Sequence, residues 1–257
     1  MILYFSGTGN SLGVARQLAE QLNEPLLPLM EAVGQDLTHE KRLGLVFPTY
    51  DFNLPPAVRE RVSRLTISPA SYVFTVVTCG GQAGNCVWSL RRLLRAKGVE
   101  LAYSHKVRVP DNSALAFGRN PNNQFKKFER VPARMDRIIR DVQSERRALH
   151  YSWFSGLSWL MGVPAMEKGM LRMLHPHVNA DKCTGCNTCV RVCPMENIRL
   201  TSNGASGQIA CVGDRCTACF ACVHACPHQA ISVNGRDALK ERQYRHPQVK
   251  LKDLILR

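Results

Sequence analysis

Eight of the eleven cysteines in this 257-residue chain fall into two copies of one pattern. Cys183, Cys186, Cys189 and Cys193 lie in CTGCNTCVRVCP, and Cys216, Cys219, Cys222 and Cys226 lie in CTACFACVHACP. Both read C-x2-C-x2-C-x3-C-P. Three thiolates two residues apart on a tight loop can meet three irons of one cubane, while the fourth points away and reaches a neighbouring one. The spacing therefore predicts two 4Fe-4S clusters. The first would use Cys183, Cys186, Cys189 and Cys226, and the second Cys216, Cys219, Cys222 and Cys193. Zinc fits less well, because it takes four ligands per site and rarely three from a CxxCxxC run. A secreted disulfide framework would expect a signal peptide, and MILYFSGTGN has neither a basic start nor a cleavage site. Cys79, Cys86 and Cys211 lie outside the runs and read as small apolar residues. A reducing, cytoplasmic and anaerobic setting fits these thiols.

A second chemistry is written at the other end. The apolar run Ile2 to Phe5 leads into SGTGNS (Ser6, Gly7, Thr8, Gly9, Asn10, Ser11), followed by a helical pattern with Ala15, Leu18, Ala19 and Leu22 on one face. Strand, glycine-containing polar loop and helix N-terminus together make a phosphate cradle. The loop lacks the lysine of a Walker A motif. It has Leu12 where a dinucleotide fingerprint needs its third glycine. Hydroxyl and amide donors without a cation match the flavodoxin loop, which wraps the phosphate of FMN.

The elements that must position this loop follow. Leu26 to Met30, Leu43 to Thr49, Tyr72 to Cys79 and Val99 to Val109 read as strands. Helices are expected at about Pro55 to Leu65, Asn85 to Lys97 and Phe125 to Leu149, the last with Phe125, Phe128, Val131, Met135, Ile138, Ile139 and Val142 on one face. The fold class is α/β: a flavodoxin-like, doubly wound, five-stranded parallel sheet in the order 2-1-3-4-5, with a small α+β module for the clusters. In that order a ligand sits at the carboxyl ends of strands 1, 3 and 4. There lie SGTGNS, then Pro48, Thr49, Tyr50, Asp51, Phe52 and Asn53, then Cys79, Gly80, Gly81, Gly84 and Asn85. Tyr50 or Phe52 could stack on an isoalloxazine ring, and the glycines let backbone approach its edge.

Taken together, the SGTGNS loop, the P-x-Y…L-P-P loop, the glycine-pair loop and both cysteine runs resemble the flavodoxin–ferredoxin fusion proteins of the EFR type, over essentially the whole length. The resemblance implies FMN, two clusters and intramolecular electron transfer, and leaves donor and acceptor open. As read from that family, an aromatic residue often precedes the glycine pair, where this chain has Cys79. The expected organisation is a flavodoxin-like domain at 1–150, an aromatic connector at 151–176, a two-cluster ferredoxin domain at 177–235 and a basic tail at 236–257.

The formal charge of +14 is concentrated in three stretches, Arg91 to Arg108, Arg119 to Arg147 and Arg236 to Arg257, with nets of +5, +5 and +4. Two oxidised cubanes would remove about four units of it. No nucleic-acid-binding motif accompanies the charge, so an acidic redox partner, a ferredoxin or a downstream reductase, is the better expectation. No apolar run is long enough to span a membrane. Tyr151 to Met166, which carries no charge and contains Trp153, Phe154 and Trp159, reads as a connector, with a flavin lid or membrane-surface association as alternatives. His175 and His177 read as structural. The sequence supports an electron-transfer protein, with an FMN-dependent reductase of a small, planar or anionic substrate as the alternative and an iron–sulfur sensor or nucleic-acid-binding protein behind both. It names no catalytic residue.

Overall fold

The computed structural model describes residues 1–153, 163–202 and 207–255. Residues 154–162, part of the aromatic connector expected at 151–176, lie outside the described residues. By contacts the chain divides into two interleaved units. One comprises Met1–Ser6, Asn10–Pro110 and Lys126–Glu167, and the other Gly7–Gly9, Asp111–Phe125 and Lys168–Arg257.

The first unit is built on a parallel sheet of β1 (Ile2–Tyr4), β2 (Leu26–Pro28), β4 (Arg42–Pro48), β6 (Tyr72–Cys79) and β7 (Leu101–Arg108) in the order β2-β1-β4-β6-β7. All four pairings are parallel. This is the 2-1-3-4-5 doubly wound order, counting only the strands of this sheet. A second ribbon pairs β3 (Asp36–Leu37) with β5 (Thr66–Ile67). The central β6, YVFTVVTC, is buried along its whole length. A strand covered on both faces must be apolar throughout, and its β-branched and aromatic residues suit the pleat. Helices α1 (Asn10–Leu22), α2 (Pro56–Ser63), α3 (Cys86–Arg95) and α4 (Val131–Gln143) complete the layers. The α1 residues Val14, Ala15, Leu18 and Leu22 share a core with Phe74, Val76 and Tyr103 of the sheet and with Met135, Ile138 and Val142 of α4.

The last helix departs from expectation at both ends. Pro121–Arg130 is 3-10 helix, and the α-helix starts only at Val131. Pro132 sits in its first turn, where its missing N–H costs nothing and its fixed φ starts the helix. The helix ends at Gln143 because Glu145 is left-handed, at φ 50°. The chain then runs along the sheet edge, where Ala148 donates to Ala102 and accepts from Ser104. Phe125 is not on the shared apolar face. It is 43% exposed, counts with the second unit, and its ring lies 6.1 Å from that of Tyr244.

The second unit contains α5 (Pro164–Met173, whose last residues belong here), β8 (Pro176–Val178), α6 (Thr188–Arg191), β9 (Ile198–Ser202), β10 (Gln208–Val212), α7 (Ala221–Ala225), β11 (Ile231–Val233) and β12 (Arg236–Asp237). β9 and β10 form one antiparallel pair, and β12-β11-β8 an antiparallel three-stranded sheet. The two cysteine runs repeat each other in backbone as well as in sequence. Gly185 and Ala218, Asn187 and Phe220, and Glu196 and Gln229 occupy equivalent places, and all six are left-handed. For the non-glycine residues that conformation costs roughly 1–2 kcal/mol each, least for asparagine. The segment from Asp111 to Phe125 is tied in by side-chain amides: Asn112 donates to the Cys219 carbonyl at 3.1 Å and Asn234 to that of Ala116 at 3.0 Å. His175 packs edge-on against His177 and faces the Gly213 carbonyl at 3.2 Å.

Candidate iron–sulfur and flavin sites

The two cysteine runs enclose two cavities. One is lined by Cys183, Cys186, Cys189 and Cys226, with Leu200, Ala210 and Ile231 around them. The other is lined by Cys193, Cys216, Cys219 and Cys222, with Met195, Ile198, Val212 and Phe220. Each cavity thus takes three thiols from one run and the fourth from the other. Among the described residues no three His, Cys, Asp or Glu side chains converge tightly enough for a single metal ion; the thiols stand around a space instead.

Equivalent backbone groups address the two crossing cysteines. The Asn197 N–H donates to Cys193 Sγ at 3.4 Å, and the Ala230 N–H to Cys226 Sγ at 3.3 Å. Burial, reinforced by neighbouring sulfurs, pushes the Cys189 thiol up to about 11. The same causes raise Cys219 and Cys222 further. Thiols crowded in an apolar pocket resist ionisation unless cations neutralise them, and soft thiolates are the donor set of an iron–sulfur cluster. The residues fit the group. Cys186 is the exception: burial works against its ionisation, yet hydrogen bonds from Thr188 and Thr184 hold it below the ordinary thiol value. It is exposed, whereas Cys219 and Cys222 are buried.

In the first unit, the carboxyl ends of β4 and β6 lead into two loops that are stitched together. Tyr50 and Asn53 exchange both backbone hydrogen bonds, which puts Asp51 and Phe52 at the corners of a tight turn, left-handed at φ 47° and 56°. Pairs of left-handed non-glycine residues are strained, and such strain gathers at functional sites. The Asn85 N–H donates to the Phe52 carbonyl at 2.7 Å, Thr49 Oγ1 to that of Ala83 at 3.3 Å, and Ser89 Oγ to Asn53 Oδ1 at 2.9 Å. Gly84, at φ 57°, must be glycine, since a Cβ there would lie 2.0 Å from the Phe52 carbonyl oxygen. A Cβ on Gly81 would meet nothing within 4 Å. Tyr50 packs edge-on against Phe5, while Phe52 is 44% exposed. Asp51 Oδ2 is buried without a hydrogen-bond partner, and burial, with Glu167 nearby, raises its carboxyl. A flavin ring N–H or ribityl hydroxyl is the kind of donor such an oxygen requires, so these loops fit a flavin.

The remaining site residues divide. Pro48 ends β4, and Ser6 lies just beyond β1. Asn10 and Ser11 begin α1, but their side chains serve the protein itself: Asn10 Nδ2 donates to the Pro110 carbonyl at 2.8 Å, and the Ser11 hydroxyl pairs with that of Thr78 at 2.7 Å. Gly7, Thr8 and Gly9 count with the second unit. A Cβ on Gly7 would lie 2.5 Å from the Cys219 carbonyl oxygen, and the Thr8 carbonyl accepts from the His246 N–H at 2.9 Å. The Cys79 side chain is buried, and its thiol is pushed up to about 11 by that burial.

Sequence reading missed a collar of cations on the glycine-pair loop. Arg108 Nε donates to the Gly81 carbonyl at 3.1 Å, Lys127 Nζ to that of Gly80 at 2.6 Å, and Lys106 Nζ bonds the Gln82 side chain. Arg108 and Lys106 could have been placed there from β7, which runs parallel to β6; nothing local announces Lys127.

Residues 175–227 match the family of 4Fe-4S dicluster domains. No curated protein matches the chain. Among solved structures, the rubredoxin oxygen:oxidoreductase of Desulfovibrio gigas is similar at 16% identity and TM-score 0.36, covering 56% of this chain and 36% of that one. A two-electron-reduced flavodoxin of Megasphaera elsdenii is similar at 14% identity and TM-score 0.31, covering 43% of this chain and 88% of that one.

Proposed function

We propose that this chain, a flavodoxin-like domain joined to a 4Fe-4S dicluster domain, is an electron-transfer protein that uses two 4Fe-4S clusters and FMN. When bound, the clusters exchange single electrons and FMN takes up or gives out two. The observation that carries the reading is the crossed lining of the two cavities, Cys183, Cys186, Cys189 and Cys226 in one and Cys193, Cys216, Cys219 and Cys222 in the other. Phe52 and Tyr50 would flank the flavin ring, and the open side of Gly81 would leave room at its edge. The direction we favour runs from a low-potential donor, through the clusters, to the flavin. Cys186 is exposed, so the first cluster would be the one a donor protein reaches. The basic stretches suit an acidic partner in the cytoplasm.

Anaerobic analysis should return about eight irons, eight sulfides and one FMN per chain. Reduced ferredoxin should then reduce the flavin rapidly and NADH should not. Flavin reduction by ferredoxin that is equally fast in Cys216→Ser would remove the clusters from the path. A second reading, an FMN-dependent reductase of a small anionic substrate, is favoured by Lys106, Arg108 and Lys127 around the glycine-pair loop. Turnover of a planar carboxylate with reduced ferredoxin would support it.

A further inference from the structure

We infer that the hydroxyl of Thr217 donates a hydrogen bond to a sulfur of the second cluster and raises that cluster's midpoint potential. This rests on the two-cluster reading above. Thr217 lines the cavity shared by Cys193, Cys216, Cys219 and Cys222. It is 3% exposed, and its Oγ1 is buried with no hydrogen-bond partner in the protein. A buried hydroxyl without a partner is unfavourable, and native interiors seldom keep one unless something else occupies the site. The other wall groups of this cavity are thiols, apolar side chains and Asn197, whose amide is already engaged by the Gly213 carbonyl and the Arg215 N–H. Cluster sulfides and thiolates carry lone pairs and no protons, so the hydroxyl can only be the donor.

The sign of the effect follows. Reduction adds negative charge to the cluster, and a donated hydrogen bond stabilises that charge more than it stabilises the oxidised form. Thr217 therefore opposes the apolar wall, which disfavours added charge. The equivalent residue of the first run, Thr184, is exposed, and its side chain hydrogen-bonds the Cys186 thiol.

Potentiometric titration of the holoprotein, followed by paramagnetic resonance, tests this. Thr217→Val should lower one midpoint by at least a tenfold shift of its one-electron equilibrium, about 59 mV, and leave the other in place. Thr217→Ser should keep the wild-type value. Should Thr217→Val fail to assemble, Thr217→Ala, which removes the hydroxyl with less demand on packing, must show the same fall. Eight irons with unchanged midpoints in the valine or alanine variant, or a serine variant shifted like valine, overturns the role of Thr217 alone. A wild-type protein with four irons and one resonance overturns the two-cluster reading itself.

Discussion

The two cluster sites share one backbone and differ in what surrounds it. The first site has an exposed ligand, Cys186, with Thr188 hydrogen-bonded to it, and glycine and asparagine at its left-handed positions Gly185 and Asn187. These are the residue types that tolerate φ above zero. The second has Cys219 and Cys222 buried, and it places Ala218 and Phe220 in the same conformations. Phe220 is 3% exposed, so packing holds it where its intrinsic preference would not. The repeated run repeats the geometry. The surroundings differ at one ligand: two thiols are buried in each set, Cys189 and Cys226 in the first and Cys219 and Cys222 in the second, but only the first set has an exposed one.

The largest effects should come from the ligands. Cys193→Ser and Cys216→Ser should each disturb the same resonance, and Cys183→Ser and Cys226→Ser the other, when reduced samples are compared by paramagnetic resonance. If Cys193→Ser instead groups with Cys183→Ser, the crossed lining does not describe ligation. Next comes access. An oxidant or chelator should destroy the resonance assigned to Cys183 and Cys226 several times faster than its counterpart, because only that set includes an exposed thiol. Equal rates would erase the contrast between an outer and an inner site.

Glycine exchange is the smallest and sharpest test. Gly185→Ala forces a side chain into φ 66° and within 2.8 Å of the Gln208 carbonyl oxygen, and should cost about 1–3 kcal/mol in anaerobic denaturant unfolding. Ala218→Gly should change stability by less than about 0.5 kcal/mol, since relief at a left-handed position is offset by the freedom glycine gains when unfolded. A large gain from Ala218→Gly would mean that the inner loop is strained beyond its backbone conformation.

The chemistry-bearing residues were more legible than their surroundings. Cysteine spacing announces both thiol sets, because ligand geometry is local to each run and crossing requires only that the runs meet. The apolar run Tyr72 to Cys79 reproduces β6 residue for residue, as a doubly covered strand must be apolar throughout. The ribbon of Asp36–Leu37 with Thr66–Ile67 is too short to show a period. The turn at Glu145 and the pairing of Ala148 with β7 override a helical pattern that continues to Leu149. At the flavin loops, sequence names the donors Asn10 and Ser11 but not the partners, Pro110 and Thr78, that engage them. Those partners are distant in the chain, and periodicity carries no information about them.

The interleaving of the two units has a consequence for how the protein is made. Gly7 to Gly9 are synthesised well before the groups they pack on, Cys219, His246 and Val249. Contacts so far apart in sequence close slowly and late. Until the segment around His246 and Val249 emerges, Gly7 to Gly9 lack part of what they pack on, even if both cysteine runs have already been translated. Iron delivered to a nascent chain would meet loose thiols rather than a formed cavity. Insertion of a second cluster should therefore depend on the segment around His246 and Val249, and a truncation just before His246 should yield protein deficient in that cluster although every ligand cysteine is present.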